Sequence, residues 1–476
     1  MAKVKSKWVC QNCGYETASY LGKCPDCGRF STFVEEIVQE KSEVKSKNSS
    51  MNIGSIETFS YTKINDVKVD TSIRISSGME EFDRVLGGGF VEGSLCLLAG
   101  DPGIGKSTLI LQTAKNIAAQ NKKILYICAE ESTSQVKLRA ERLNANSENI
   151  YVTQQNCLEE IIKQIESLKP EFLVVDSIQS VFSAQILSST GSVSQIRECT
   201  NILMRIAKQF NVTTVIIGHV TKEGNIAGPK VLEHMVDCVL NFEGEKYKTT
   251  RILRGIKNRF GAVSEVGVFN MEDIGLVEIK NPSELFLSDR ENLTTSGSTV
   301  IATLEGTRCL LLEVQALTGS TPYPNPRRVA RGIEYDRLLQ ILAVLEKRVG
   351  LNLSKSDVYI NVIGGIDIVE PAADLGVALA VLTSARDSVI NKDTVCLGEI
   401  GLNGEIRSVD NLEARLKEAY RLGFIRAVVP KINNKTIKDR ILKIGIQIFE
   451  VSKITDAIKT AILNWHILKN FPCIKP

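Results

Sequence analysis

The stretch that most restricts how this chain can fold is SLCLLAGDPGIGKSTLILQTAKNIAAQ, beginning at Ser94. A short apolar run ends in Gly100, Asp101, Pro102, Gly103, Ile104, Gly105, Lys106, Ser107 and Thr108, and an amphipathic helix-length segment follows. The nine residues satisfy G-x-x-x-x-G-K-[ST] in the strand-then-helix setting that the motif needs. Its glycines let backbone N–H groups curl around phosphates, Lys106 reaches the β and γ oxygens, and Ser107 offers a hydroxyl to Mg²⁺. A strand that delivers a phosphate loop in this way expects parallel neighbours with helices on both faces.

The surrounding chain carries such neighbours. KKILYICAE, NIYVT, EFLVVDS and VTTVIIGHV read as short buried strands alternating with helices, giving one α/β domain over residues 71–285. A second α/β pattern occupies residues 286–476. Its strands are LLLEVQAL, VYINVIGG, TVCLGEIG and AVVP, and its helices are YDRLLQILAVLEKRV, DLGVALAVLTSAR and NLEARLKEAYRLG. Residues 35–70, with KSEVKSKNSS at their centre, are polar and read as a flexible linker.

Residues 1–34 contain Cys10-x-x-Cys13 and Cys24-x-x-Cys27, each followed by a glycine, Gly14 or Gly28. Two residues between sulfurs let both thiolates reach one ion, and four such ligands make a closed, structural zinc site. A pair of unrelated redox motifs is the alternative. So small a segment cannot fold on its own core, and zinc can supply ~10–16 kcal/mol.

Three further groups fall near the phosphate loop in this reading. Asp176 ends the apolar strand FLVVD, where it is expected to hold Mg²⁺. Alone, an aspartate there is more often a helix cap. Glu130 and Glu131 follow ILYICA directly, so at least one carboxylate should emerge at the carboxyl edge of the sheet to orient or deprotonate water. His219 ends VTTVIIGH at the same edge.

The net charge of +3 argues against coating nucleic acid through an overall field, so any such binding needs local basic surfaces. MAKVKSKWVCQNCG runs from lysines into cysteines without an apolar stretch, and no apolar run approaches the ~20 residues of a membrane span. A cytoplasmic protein is expected, and scattered thiols such as Cys96 and Cys128 fit a reducing compartment.

The run RISSGMEEFDRVLGGGFVEGSLCLLAGDPGIGKST resembles the entry into RecA-like and KaiC-like ATPase cores. With the four-cysteine segment, YICAEES, LVVDS, KNRFG and EPAADLGVALA, the likeness covers nearly the whole chain and narrows to the RadA (Sms) family of bacterial DNA repair proteins. It implies an α/β protein with three parts: a zinc knuckle, a RecA-like mostly parallel sheet covered by helices, and a Lon-protease-like C-terminal domain. It also implies a ring, expected to be a hexamer, that acts on single-stranded or branched DNA beside the RecA recombinase by branch migration or helicase-like unwinding. A KaiC-like nucleotide-switched scaffold for protein partners is the alternative.

By the same resemblance Glu130 is the catalytic glutamate ahead of Glu131, and His219 senses the γ-phosphate. Lys222 and Lys230 in VTKEGNIAGPK lie on the type of loop that contacts single-stranded DNA, although a plain surface loop would look the same. Where Lon-type proteases carry a serine and a lysine, this chain has Asp374 and Glu413, so no peptidase is expected. Arg327, Arg328 and Arg331, on a proline-stiffened connection, are expected to bind DNA or to form a solvated helix entry. In KNRFG, Lys257 and Arg259 are expected to reach a neighbouring subunit's γ-phosphate, ahead of direct DNA contact and of a solvated strand end, with Phe260 and Gly261 setting the turn and Arg254 a weaker candidate. TTRILRGIKN reads as an edge segment facing that neighbour.

Overall fold

The structure, a computed structural model, describes residues 5–10, 14–38, 74–219, 230–244, 249–263, 265–287, 295–321, 323 and 325–462. Of the expected linker 35–70, residues 35–38 instead belong to a strand, Phe33–Val38, that pairs with Lys5–Cys10, while residues 39–70, together with Cys13 and Lys222, lie outside the described residues. The chain divides into two compact units, Met1–Ile279 and Lys280–Pro476.

The first unit opens with a small antiparallel sheet, β2–β1–β3, formed by β1 (Lys5–Cys10), β2 (Glu16–Thr17) and β3 (Phe33–Val38). Next, β4 (Arg74–Ile75) pairs with β5 (Phe90–Val91) around α1 (Glu80–Leu86). The main sheet is built from β6 (Leu95–Gly100), β7 (Ile124–Cys128), β8 (Ile150–Thr153), β9 (Phe172–Asp176), β10 (Thr213–Ile217), β11 (Cys238–Glu243), β12 (Thr250–Asn258), β13 (Val266–Glu272) and β14 (Gly275–Glu278). Its order is β14–β13–β12–β11–β6–β10–β9–β7–β8. The run from β11 to β8 is parallel, and β12, β13 and β14 continue it antiparallel.

Both faces of this sheet are buried, which is why its strands are apolar throughout rather than alternating. In β6, Cys96 and Leu98 join a core with residues of α1, α2 (Lys106–Ala118) and α3 (Thr133–Arg142). Leu95 and Leu97 point the other way, into a core with α4 (Leu158–Leu168), α5 (Val193–Gln209) and α6 (Lys230–Met235). Because β13 and β14 lie outside β12, TTRILRGIKN is an internal strand and not the expected edge segment. Pairing with β11 on one side and β13 on the other satisfies the backbone N–H and C=O groups of β12 along both edges.

The second unit begins at Lys280 rather than at 286, because α7 (Pro282–Phe286) belongs to it: Ser283 Oγ accepts the Leu311 N–H at 3.1 Å. Its mixed sheet has the order β17–β18–β16–β15–β19–β22–β23. These strands are β15 (Ser298–Glu305), β16 (Arg308–Ser320), β17 (Arg328–Arg331), β18 (Ser356–Val362), β19 (Thr394–Cys396), β22 (Arg426–Pro430) and β23 (Gln447–Val451), while β20 (Glu399–Ile400) pairs with β21 (Ile406–Arg407). Helices α8 (Tyr335–Val344), α9 (Asp374–Ala385), α10 (Leu412–Arg421), α11 (Lys435–Leu442) and α12 (Ile454–Ala461) complete the unit. The apolar α9 packs closely on the sheet: a Cβ added to Gly376 would sit 2.1 Å from Ile301 Cγ2.

Candidate active site

The strand order β6–β10–β9–β7 sets the carboxyl ends of four parallel strands side by side. Whatever follows each strand therefore meets at one edge of the sheet. These followers are the phosphate loop after β6, His219 after β10, Ser177 after Asp176 at the end of β9, and Glu130 after β7. Pairing of Cys128 with Asp176, and the Ala129 N–H donated to the Asp176 carbonyl at 2.8 Å, fix Glu130 beside the end of β9.

The phosphate loop is set by its glycines. Gly105, with φ 116°, stands at the start of α2, and a Cβ there would lie 2.5 Å from Met271 Cε. A side chain at Gly100 would come within 2.4 Å of the Phe242 carbonyl oxygen. Lys106 is buried and donates to the carbonyls of Gly100 at 2.8 Å and Asp101 at 2.9 Å, and its Nζ lies 3.3 Å from His219 Nδ1. Burial brings its pKa down to about 8, against the pull of Asp176, Asp101 and Glu130.

Asp176 accepts the Tyr126 hydroxyl at 2.7 Å and also bonds Ser107. Burial raises its pKa despite those two hydrogen bonds. The Ser107 hydroxyl and this carboxylate form a hard oxygen pair next to the phosphate loop, the donor type that Mg²⁺ takes. Glu130 accepts from Ser177 and from Ser180 at 3.1 Å, and its Oε1 lies 3.5 Å from His219 Nε2. His219 and these serine hydroxyls hold the Glu130 carboxyl down at about 2 even though burial opposes them. Glu131 turns away to pair with Arg139 at 2.6 Å. The two acidic residues are thereby told apart: Glu130 faces Lys106 and His219, and Glu131 serves α3.

KNRFG lies elsewhere. Asn258 pairs with Cys238, and Cys238 with Cys96, so the end of β12 sits at the amino edge of the parallel strands. That is the length of β6, roughly 15–20 Å, from the chain's own phosphate loop. Arg259 is half exposed and pairs with buried Asp237 at 3.2 Å. Within its own chain, Lys257 directs its ammonium at three carbonyls: Glu233 at 2.6 Å, Val236 at 2.9 Å and His234 at 3.3 Å. Phe260 and Gly261 do lie in a tight turn, with the Phe260 carbonyl bound by Arg74 at 2.6 Å and Gly261 packed on Gly87. Arg254 sits 3.7 Å from Glu243.

The cysteine segment holds Cys10, Cys24 and Cys27 with their sulfurs within 4.8 Å of one another, and Cys10 lies 3.8 Å from Cys27. The Gly14 N–H returns to the Cys10 carbonyl at 2.8 Å and the Gly28 N–H to that of Cys24 at 2.9 Å. Those turns aim thiolates at a common point, as a structural zinc requires.

Lys230 opens α6. Arg328–Arg331 is an edge strand of the second sheet and not only a connection: Arg328 donates to the carbonyls of Ser356 and of Leu353, at 2.8 Å for the latter. Arg327 lies over the Tyr323 ring at 5.1 Å, and Arg331 lines a 720 Å³ cleft with Gln315, Tyr359 and Asn361. Asp374 is buried and pairs with Arg337, Nε to Oδ1 at 2.9 Å, and also accepts the Ile400 N–H at 3.0 Å. Glu413 binds Lys417 at 2.8 Å and Arg440 at 3.1 Å. Neither carboxylate offers a hydroxyl or amine for acyl transfer.

Sequence reasoning did not single out Ser177, Ser180, Tyr126 or Asp237. Ser177 was visible as the residue after the strand carboxylate, and Asp237 as a lone acid directly before an apolar strand.

Residues 63–225 match the AAA domain family, residues 8–35 the rubredoxin metal binding domain, and residues 336–433 the ChlI subunit of Mg-chelatase. The DNA repair protein RadA of Listeria monocytogenes is 49% identical over 97% of this chain and 100% of its own. That of Bacillus subtilis is 46% identical over 97% and 100%, and that of Synechocystis 45% over 97% and 95%. A KaiC-like protein of Pyrococcus horikoshii aligns with 24% identity and a TM-score of 0.37, over 43% of this chain and 98% of its own.

Proposed function

The chain belongs to the RadA family of DNA repair proteins, and from that membership we propose that it is a ring-shaped, DNA-stimulated ATPase that migrates branch points in recombination intermediates beside the RecA recombinase. It has a RecA-like ATPase unit and a structural zinc segment. The observation that carries the reading is the meeting of Lys106, Asp176, Glu130 and His219 at one sheet edge.

In this reading Lys106 and the loop from Gly100 to Thr108 hold the triphosphate. Ser107 and Asp176 would hold Mg²⁺, which neutralises charge between the β- and γ-phosphates when bound. Glu130 orients the attacking water and accepts its proton. With a carboxyl held at about 2 by His219, Ser177 and Ser180, it is a weak base until it exchanges those partners for water. His219, touching both Lys106 and Glu130, reports the γ-phosphate.

Arg259 is too far from its own phosphate loop to serve it, and its exposure suits a neighbouring subunit's site, where an arginine is worth ~10³–10⁵ in rate in other systems. A half-exposed cation beside a carboxylate could also contact DNA directly. We assign DNA contact to Lys222, Lys230, Arg327 and Arg331, with Arg328 shaping the edge strand. The curated relatives, matched over nearly their full length, favour this motor over a KaiC-like scaffold for protein partners. Extension of a joint molecule by the protein with RecA and ATP tests the proposal; branch points that stay put when ATP is hydrolysed would refute it.

A further inference from the structure

The groups that hold the Glu130 carboxylate all reach the same oxygen. Ser177 Oγ donates to Oε1, Ser180 Oγ donates to it at 3.1 Å, and His219 Nε2 lies 3.5 Å from it. A carboxylate oxygen offers about two lone pairs, so Oε1 is fully occupied. The two hydroxyls are held differently. Ser177 is completely buried directly after β9, whereas Ser180 is partly exposed. Ser177 from one strand end and His219 from another already fix the direction of the carboxyl group. What Ser180 adds is a charge-assisted hydrogen bond, which must be released before Oε1 can take a proton from water.

A fastened turn carries that hydroxyl. Ser180 ends the single 3-10 turn Ile178–Ser180, in which Ile178 is buried, and its N–H is donated to the Ser177 carbonyl at 3.2 Å. Gln179 beside it points the other way, with Nε2 3.5 Å from the His219 carbonyl. Just beyond the turn the chain is tied to α5 and α4. Buried Gln195 of α5 accepts the Ser183 N–H at 3.0 Å and aims Nε2 at the carbonyls of Ser183, Ile186 and Ser188, at 3.3, 3.1 and 3.0 Å. Glu159 of α4 accepts the Ser183 hydroxyl at 2.6 Å. With both sides of the turn anchored, Ser180 meets Glu130 by construction of the backbone.

We propose that Ser180 is a positioning residue that restrains Glu130 in the free protein, so that ATP hydrolysis runs below the rate the site reaches once that hydroxyl is withdrawn. This rests on the reading of Glu130 as the group that activates water.

The test is the single-turnover rate of ATP hydrolysis without DNA, with a separate nucleotide titration, for the unmodified full-length protein and for Ser180→Ala, Ser180→Thr and Glu130→Gln. Ser180→Ala should raise the rate about three- to tenfold, part of the worth of a hydrogen bond to a charged group, with ATP affinity unchanged. Damage to the fold lowers a rate, so it does not imitate this result. Ser180→Thr keeps the hydroxyl and should return the rate to that of the unmodified protein. A Ser180→Ala rate that is unchanged or lower, while Glu130→Gln abolishes hydrolysis, overturns the proposal and leaves the reading of Glu130 standing. Ser180→Thr as fast as Ser180→Ala also overturns it, since the hydroxyl would then not be the cause. Hydrolysis that survives Glu130→Gln overturns the reading of Glu130, and the proposal with it.

Discussion

His219 Nε2 lies 3.5 Å from Glu130 Oε1, joining the end of β10 to the end of β7 across the intervening β9. The same imidazole presents its Nδ1 to Lys106 Nζ at 3.3 Å. One imidazole thereby joins the phosphate-loop lysine to the Glu130 carboxylate.

Glu130→Gln removes the carboxylate that can take up a proton and keeps the size of the side chain. Hydrolysis should fall by ~10²–10⁴ with ATP affinity retained. Glu131→Gln loses only the Arg139 pair, which is partly exposed, and should alter hydrolysis by less than about threefold. Single-turnover hydrolysis with separate nucleotide titration distinguishes the two.

Lys106 gives nucleotide binding a pH dependence with a definite sign. Its pKa, lowered by burial to about 8, leaves it charged below that value and neutral above it. Affinity for ATP should hold at neutral pH and weaken as the pH rises through about 8, since the neutral amine no longer attracts phosphate. Lys106→Arg, charged throughout, should abolish that alkaline limb. Nucleotide titrations across the range read it directly.

Arg415 is buried to 1% exposure inside the second unit, where it donates to Glu370 at 2.6 and 2.5 Å and to the Ala302 carbonyl at 2.6 Å. Arg415→Met strands the Glu370 carboxylate, which should cost about 3–5 kcal/mol, read as a lower denaturation midpoint. The double change Arg415→Met with Glu370→Gln should recover part of that loss.

Chelation should unfold the cysteine segment and release one zinc ion per chain, with Cys24→Ser doing the same without a chelator. The ATPase unit has its own core and should keep its melting transition. Zinc release and near-ultraviolet spectra from Trp8 monitor the two events separately.

The parallel strands and the phosphate loop were legible because a strand buried on both faces is a short apolar run, and its glycines punctuate it. The groups gathered at the carboxyl edge of the sheet, Glu130, Asp176 and His219, were legible for the same reason, each lying at the end of such a run. What was not legible depended on pairing partners distant in sequence. TTRILRGIKN reads as an edge only until β13 and β14 are seen to cover it. Lys257 reads as a free cation until Glu233, His234 and Val236 fold against it. RVAR, with exposed Val329 and Arg331, lacks the apolar run that marks a central strand, so β17 is not legible in the sequence. STVIATLE, which forms β15, is buried along most of its length and carries an apolar pattern like that of the other strands.

The measurement that bears most directly on the whole is the rate of ATP hydrolysis with and without single-stranded DNA at two salt concentrations. A rise with DNA that weakens as salt increases is predicted, since basic residues must displace counterions from phosphates. An ATPase rate indifferent to DNA, together with no salt-sensitive binding, would contradict a DNA motor and return the chain to the class of nucleotide-switched scaffolds.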